Sequence, residues 1–578
     1  RRAQNEAAYK LLEKYHTQLI AVKAKRRTVT FDDIAERLAI WMRSVVDSHR
    51  DQRETLQPEE SRSLDVSLPT VSYRLDSPID HLLLDEFQDT SPVQWDIVKP
   101  FAEAIVETQT RKASFFCVGD SKQAIYGWRG GVAEVFESVG KQVANIQQTP
   151  LTLSYRSSPV IIDFVNAVFS QLNKHDCYYN GEESEGGAGD TKAIMDWTAK
   201  HFSPHTSSNS QLPGYVEFRN ANVEKNRNPD GDDSAPGLFE EVVDKITELH
   251  HASPQSSVGV LARTNRDVGK IINLLRERGV EASQEGGNPL TDSAAVLLLL
   301  SAMKLANHPA DSLAHFHLLH APLADRFSKE TLASPDLLSF ALRKLIHVEG
   351  FGGALGQLAN FLAPSCNDRD QNRLRQLVQV GYRFDALHVD SIFGFIEFVE
   401  QHKVAMPGVS KVRVMTIHQS KGLEFDAVFL PTLDQTIISR PPSFVAMYSD
   451  RTKPPIGVIR HMNRSIQRFL EDAWQIAFRE FGDQQLAEAL CVFYVAITRA
   501  KHALYLYTSP SSSSRKRWGS VLHSIFAAEG QREQKGILIR SWGDPLWYQK
   551  TSMGSEKQAN PVSSPPSSSR IVLRPGAG

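Results

Sequence analysis

The chain has 578 residues, 41% of them hydrophobic, 23% charged and 9% aromatic, an ordinary balance for a soluble globular protein of several domains. Its net charge of −2 excludes a basic wrapper of nucleic acid, so any DNA contact has to come from a local groove. Four cysteines (Cys117, Cys177, Cys366 and Cys491) stand far apart without a CxxC pair. That spacing argues against a zinc ribbon or a cysteine-held iron–sulfur cluster and fits reduced thiols in the cytoplasm. No signal peptide opens the chain. The longest apolar run, Ala294 to Ala306, is broken by Ser301 and Lys304 and is too short to span a membrane.

Residues 1–50 carry apolar positions at helical spacing (Leu11, Leu12, Tyr15, Leu19, Ile20), and Thr30 is placed to cap a second helix. Residues 51–77 are polar and read as an exposed connection. From Asp80 to about Pro150 short apolar strands alternate with helices, the pattern of a parallel α/β sheet. Residues 173–213, rich in Gly, Ser, Asn and His, read as a long insertion or loop, and 221–236 as a second polar break. Strand-like Gly214–Phe218 and Val258–Ala262 bracket that break. Residues 290–400 are mostly helical with no strand of any length, and the α/β pattern returns from Val412 to about Thr508. The last 30 residues form a Ser/Pro-rich tail expected to be disordered.

The strongest local signal is His81-Leu82-Leu83-Leu84-Asp85-Glu86-Phe87-Gln88-Asp89-Thr90-Ser91. An all-apolar strand ending in two carboxylates is the Walker B arrangement, and its Leu run predicts burial on both faces. Ligands of open α/β sheets bind beyond the carboxyl ends of the strands, so Asp85 is expected to hold Mg²⁺ and Glu86 to orient the attacking water. A second strand, Ser114–Cys117, leads into Gly119-Asp120-Ser121-Lys122-Gln123-Ala124-Ile125-Tyr126-Gly127-Trp128-Arg129-Gly130-Gly131. There Gln123 can report a γ-phosphate. Tyr126 and Trp128 offer faces on which bases stack, and Arg129 adds charge.

These two strings resemble motifs II and III of the UvrD/Rep-type helicases of superfamily 1, closest to the RecB/AddA branch of helicase–nucleases. The remaining motifs follow in order. Leu151–Pro159 (LTLSYRSSP) resembles motif IV, which implies that Tyr155 stacks on adenine and Arg156 reaches the γ-phosphate. Val412–Phe429 (VRVMTIHQSKGLEFDAVF) resembles motif V, which implies that Thr416 and His418 touch the DNA strand and Glu424 takes the ribose hydroxyl. Phe493–Lys501 (FYVAITRAK) resembles motif VI, with Arg499 as a second arginine finger.

The resemblance implies an α/β fold of two RecA-like parallel-sheet motor domains with a largely helical insertion in the second. On that scheme residues 1–79 are a helical remnant of the first-domain insertion and linker, and 80–150 are the end of the first RecA-like domain. Residues 151–289 and 406–545 make the second, 290–405 are its insertion, and 546–578 are the tail. It further implies ATP and Mg²⁺ as cofactors and 3′→5′ movement on single-stranded DNA in break repair or recombination. The implied partners are DNA and an AddB-like or RecC-like subunit, with no membrane, at the nucleoid in the cytoplasm.

Two features depart from the family. No G-x-x-x-x-G-K-[ST] loop occurs in the sequence, and Cys491 stands where an arginine is usual. With Arg1 as the first residue, the expectation is an N-terminally truncated and ATPase-inactive piece of a helicase whose first-domain sheet is partly uncovered. The alternative is a non-catalytic DNA-binding or scaffold subunit. Trp518–His523 (WGSVLH) has an outline resemblance to the opening of a RecB-type nuclease, but no E-x-K follows, and a structural helix is the expected reading.

Overall fold

Short strands that are almost wholly apolar build the fold, because a strand covered on both faces has no polar side to show. The computed structural model describes residues 2–55, 79–107, 112–172, 187–223, 237–284, 288–389, 391–401, 403–404, 410–435, 437, 443–510 and 517–555. Most of the 51–77 connection, much of the 221–236 break and the tail beyond residue 555 lie outside these residues. Nine strands carry the argument: β1 (His81–Leu84), β2 (Ser114–Cys117), β3 (Tyr215–Asn220), β4 (Val258–Ala262), β5 (Ala282–Gln284), β6 (Val412–Thr416), β7 (Phe425–Leu430), β8 (Ala500–Thr508) and β9 (Leu538–Gly543). Eight helices are used with them: α1 (Arg2–Arg26), α2 (Phe31–Thr55), α3 (Pro92–Glu107), α4 (Ala133–Gln142), α5 (Pro159–Phe169), α6 (Gly187–His201), α7 (Asp472–Ile497) and α8 (Trp518–Phe526).

The chain divides into two compact units, one made of residues 1–265 and 416–578, the other of 266–415. Two lobes share the first unit. In one, α2 starts at a reciprocal cap: the Asp33 amide donates to Thr30 Oγ1 at 3.3 Å while the Thr30 amide donates to Asp33 Oδ2 at 2.7 Å. Lys23 closes on the same carboxylate at 2.7 Å, and these bonds hold it well below the usual aspartate range. Parallel β1 and β2 run in register from His81↔Ser114 to Leu84↔Cys117. Leu82, Leu84, Phe115 and Cys117 pack on a core of Phe87, Trp95, Val135 and Val139. The opposite face is open, with Leu83 70% and Phe116 58% exposed. Burial of β1 on both faces, expected from its Leu run, is therefore not met. Alternate strand residues face opposite ways, and α3 and α4 cover only one side.

The other lobe of this unit is a strand set in the order β9-β3-β8-β7-β4, parallel except for β9. Every β4 residue and nearly every β8 residue is buried. Of the insertion-or-loop reading of 173–213, the loop alternative fails over residues 187–201, which form α6 with Ile194 and Trp197 buried. Their helical spacing was diluted by surrounding Gly, Ser and Asn. Two further elements lie beyond the expected end of the α/β pattern. Antiparallel β9 closes the edge of the sheet. The helix Trp547–Ser555 buries Trp547 against His502, with ring centroids 5.5 Å apart, so the tail does not begin at 546. Helix α8 is structural: Trp518 stacks on Phe493 at 4.2 Å, and buried His523 pairs with Asn220 at 2.7 Å.

In the second unit β5 and β6 pair in parallel, Val412 opposite Ala282. Between them the helices Ala294–Asn307, Pro335–Leu362, Asp368–Asp385 and Ile392–Gln401 share one apolar core around Leu299, Met303, Leu342, Leu358 and Phe395. Each of the first three is capped by the residue before it, Ser293, Ser334 and Asn367 respectively.

The end of β9 depends on a glycine. Gly543 has φ +79°, and a Cβ there would lie 2.0 Å from the Gly214 carbonyl. Gly530 has φ +80° with nothing within 4 Å. Gly543→Ala is therefore expected to cost about 2–3 kcal/mol in urea unfolding, against about 1 kcal/mol for Gly530→Ala. Equal losses would mean that β9 does not need this close approach.

Candidate active site

The carboxyl ends of β1 and β2 place the acidic pair and the amide side by side. Asp85 and Glu86 follow β1 and are exposed. Glu86 sits in the left-handed region at φ 50°, a conformation that costs a non-glycine residue about 1 kcal/mol or more and persists where neighbours enforce it. Here the enforcer is Gln88, 1% exposed, whose Nε2 donates to Glu86 Oε2 at 2.6 Å. Gln88 Oε1 accepts the Asp120 amide at 2.9 Å, which ties the β1 end to the β2 end. Asp120 in turn accepts from Lys122 Nζ at 2.7 Å and from Gln123 Nε2 at 2.9 Å. Burial alone would raise this carboxyl, but Lys122 and the hydrogen bonds outweigh it and hold it below the usual aspartate value.

Arg499 approaches from the other lobe, at the turn between α7 and β8. It is 1% exposed and donates to the Val495 carbonyl at 3.0 Å, to Thr498 Oγ1 at 3.0 Å and to Gln123 Oε1 at 3.3 Å. Burial, with Arg156 nearby, pushes its guanidinium down to about 10, so it stays charged at neutral pH. Arg156 is fixed by its neighbours: Ser157 Oγ and the Ser158 amide donate to β8 carbonyls at 2.7 and 2.8 Å, and Ser158 with Pro159 begins α5. The Arg156 side chain pairs with Glu424 at 3.0 Å, while Lys501 takes the other oxygen of Glu424 at 2.6 Å. Hydrogen bonds from Lys501 and Arg156 overcome partial burial and lower this carboxyl. Tyr155 is 75% exposed beside them.

The expected strand-facing residues lie next to this network. Trp128 is 65% exposed, with the Arg129 guanidinium 4.6 Å over its ring. Tyr126 donates its hydroxyl to the His418 carbonyl at 3.2 Å, and the two rings are 6.4 Å apart. Burial and the cations Arg263 and Arg129 lower the His418 imidazole, which is therefore neutral at pH 7. Thr416 is turned inward, its amide and hydroxyl both donating to Gln419 Oε1, at 2.9 and 3.1 Å. Cys491, in the arginine's place, is buried and donates to the Ser121 carbonyl at 3.4 Å. A cleft of about 570 Å³ next to Tyr126 is lined by Glu134 and Glu137, paired with Arg451 and Lys200, and by Glu480 and Glu488, an excess of acid that disfavours phosphate.

The structure thus gathers Glu86, Gln123 and Arg499 into one bonded network, and Arg156 with Glu424 into an adjoining pair. Tyr155, Trp128 and Arg129 stand at the surface. Sequence reasoning missed Gln88, Asp120, Lys421 and Lys501. All four lie inside the quoted motifs, but strand-end logic favours charged tips over the residues that hold them.

Two family models match the chain: the UvrD/REP helicase N-terminal domain over residues 1–144 and the UvrD-like helicase C-terminal domain over residues 342–511. Among curated proteins the chain is similar to the A subunit of the ATP-dependent helicase/nuclease of Oenococcus oeni, 26% identical over 79% of this chain and 41% of that protein. It is also similar to the corresponding helicase/nuclease protein of Desulforudis audaxviator, 24% identical over 86% of this chain and 44% of that one. The exonuclease/helicase protein RexA of Lactococcus lactis subsp. cremoris is 24% identical over 80% of this chain and 43% of its own length. The chain spans less than half the length of these relatives.

Burial, with Asp120 and Glu488 close by, pushes the Cys491 thiol up to about 12. Cys491 is accordingly expected to resist iodoacetamide in the native chain at pH 8 and to react on unfolding. Peptide mapping by mass spectrometry reads this; native labelling of Cys491 would show that the α7 contact to Ser121 opens readily.

Proposed function

We propose that this chain, which belongs to the UvrD-like helicases, works as part of an ATP-driven motor on single-stranded DNA. The observation that carries the proposal is the contact of Arg499 with Gln123, a buried cation on one lobe meeting an uncharged amide on the other. A purely DNA-binding protein needs the aromatic surface but has no use for that contact. Phosphoryl transfer develops charge that positioned cations stabilise, and fingers on a separate lobe complete the shell only when the lobes close.

The residues fit ATP and Mg²⁺. Asp85 offers an exposed hard oxygen at a strand end, the kind of ligand Mg²⁺ takes together with phosphates. The ion would supply charge neutralisation between the phosphates; the remaining roles belong to the chain. Glu86 orients the water, and Gln88 holds Glu86. Tyr155 gives an open face to the adenine, and Glu424 is the acceptor for the ribose once it is released from Arg156. Gln123 transmits the presence of a γ-phosphate along its own segment to Tyr126, Trp128 and Arg129, where bases stack. Movement in the 3′→5′ direction, a role in break repair or recombination at the nucleoid, and an AddB-like or RecC-like partner complete the proposal. The relatives' names support it, being those of ATP-dependent helicase/nuclease proteins.

Two measurements test it. Trp128→Ala is expected to weaken binding of a labelled single strand by about 1–3 kcal/mol without changing the salt slope, since stacking releases no counterions. Arg129→Ala should instead flatten that slope. Unchanged affinity in Trp128→Ala across the salt series would remove the ring from the DNA path.

These 578 residues contain no G-x-x-x-x-G-K-[ST] cradle for the phosphates. By itself the chain is therefore expected to turn over ATP no faster than its Glu86→Gln variant, because charge without positioning catalyses poorly. DNA-stimulated turnover well above that variant would reveal a cradle of another kind.

A further inference from the structure

Lys421 belongs to the motif V lobe, just after the helical turn His418–Ser420, and its ammonium ends inside the other lobe. Only 5% of its side chain is exposed. Its three N–H groups face three acceptors: Asp89 Oδ2, the Gln123 carbonyl at 2.8 Å and Glu86 Oε2 at 3.2 Å. The Tyr126 ring lies 5.3 Å beneath it. A buried ammonium costs several kcal/mol in lost hydration unless such partners replace water. Here the partners are the residues on which the active site turns.

The charges around it do not balance. One ammonium meets two carboxylates, and Asp89 Oδ1 is buried with no hydrogen-bond partner. Lys421 alone does not balance the carboxylates it touches at the point where Asp85 would meet a divalent cation. A metal ion held by Asp85 and Lys421 held by Glu86 would stand on adjacent carboxylates and would repel each other.

We propose that Lys421 is a tethered counter-cation that competes with the divalent metal at the Glu86 end of the site. Without the ion it pairs with Glu86 and Asp89 and holds Gln123 in register through its carbonyl. When the ion binds at Asp85, repulsion weakens its hold on Glu86. Lys421 is carried by the opposite lobe, so metal occupancy is thereby coupled to the contact between the lobes. This rests on the reading of Asp85 and Glu86 as the Mg²⁺ end of the site.

The test is direct binding of Mn²⁺, as a spin-counted stand-in for Mg²⁺, to the 578-residue chain without nucleotide. Lys421→Met is expected to bind Mn²⁺ about tenfold more tightly, and Lys421→Arg to stay within about twofold of the parent chain. Lys421→Gln, which keeps a donor for the Gln123 carbonyl, should also bind more tightly and serves where the methionine variant fails to fold. A merely structural lysine would give the opposite sign or no change. Equal or weaker binding in folded Met and Gln variants, with binding still abolished by Asp85→Asn, overturns the competition and leaves the Mg²⁺ reading standing. Binding that survives Asp85→Asn, or none in any chain up to millimolar Mn²⁺, overturns both.

Discussion

Arg499 is a charged guanidinium almost without access to water, and its partners are neutral. Carbonyls of Val495 and Leu423, the Thr498 hydroxyl and the Gln123 amide replace its hydration, but none of them carries a compensating charge. Arg156 adds a second cation nearby and helps to depress it. Glu86 and Asp120 favour its charge through space without bonding to it, yet a guanidinium bonded only to neutral groups still carries a standing cost, of the order of several kcal/mol. In the proposed motor an entering phosphate offsets it. The α7–β8 turn, the closure of β8 on the Arg156 segment and the approach of Gln123 can all be understood as means of holding that cation in position.

The first lobe answers with polar groups that have few spare bonds. Gln88 spends its amide nitrogen on Glu86 and its oxygen on the Asp120 amide, and Asp120 spends its carboxylate on Lys122 and Gln123. A buried network of this kind is stiff because losing any member leaves another unsatisfied. That stiffness is what lets Glu86 remain in a left-handed conformation. It also means that a displacement of Gln123 cannot be absorbed locally, and the residues directly after it are Tyr126, Trp128 and Arg129.

The surface chemistry suits the proposed motor, which has to release what it holds. The residues proposed to face DNA are one exposed indole and one arginine lying over it, with a neutral imidazole nearby. Stacking gives grip that salt scarcely screens, while a small number of cations keeps the electrostatic hold weak.

By itself the sequence determined the local chemistry. An apolar strand ending in Asp85-Glu86, a second ending before Gln123, a serine and proline starting α5, and a motif order shared with a known family are all one-dimensional patterns. The physical preferences behind them act over a few residues. The helical character of 290–400 was legible for the same reason, through its apolar spacing. Only the tertiary structure decided which groups meet. Gln88 and Lys421 looked like ordinary polar residues, because a bridge to a second strand end 32 residues on, or to a lobe 298 residues or more away, leaves no local trace. The same holds for β9 and Trp547, whose neighbours come from Gly214–Asn220 and His502–Tyr505. It holds for α6 too, whose two buried positions declare themselves only against α7.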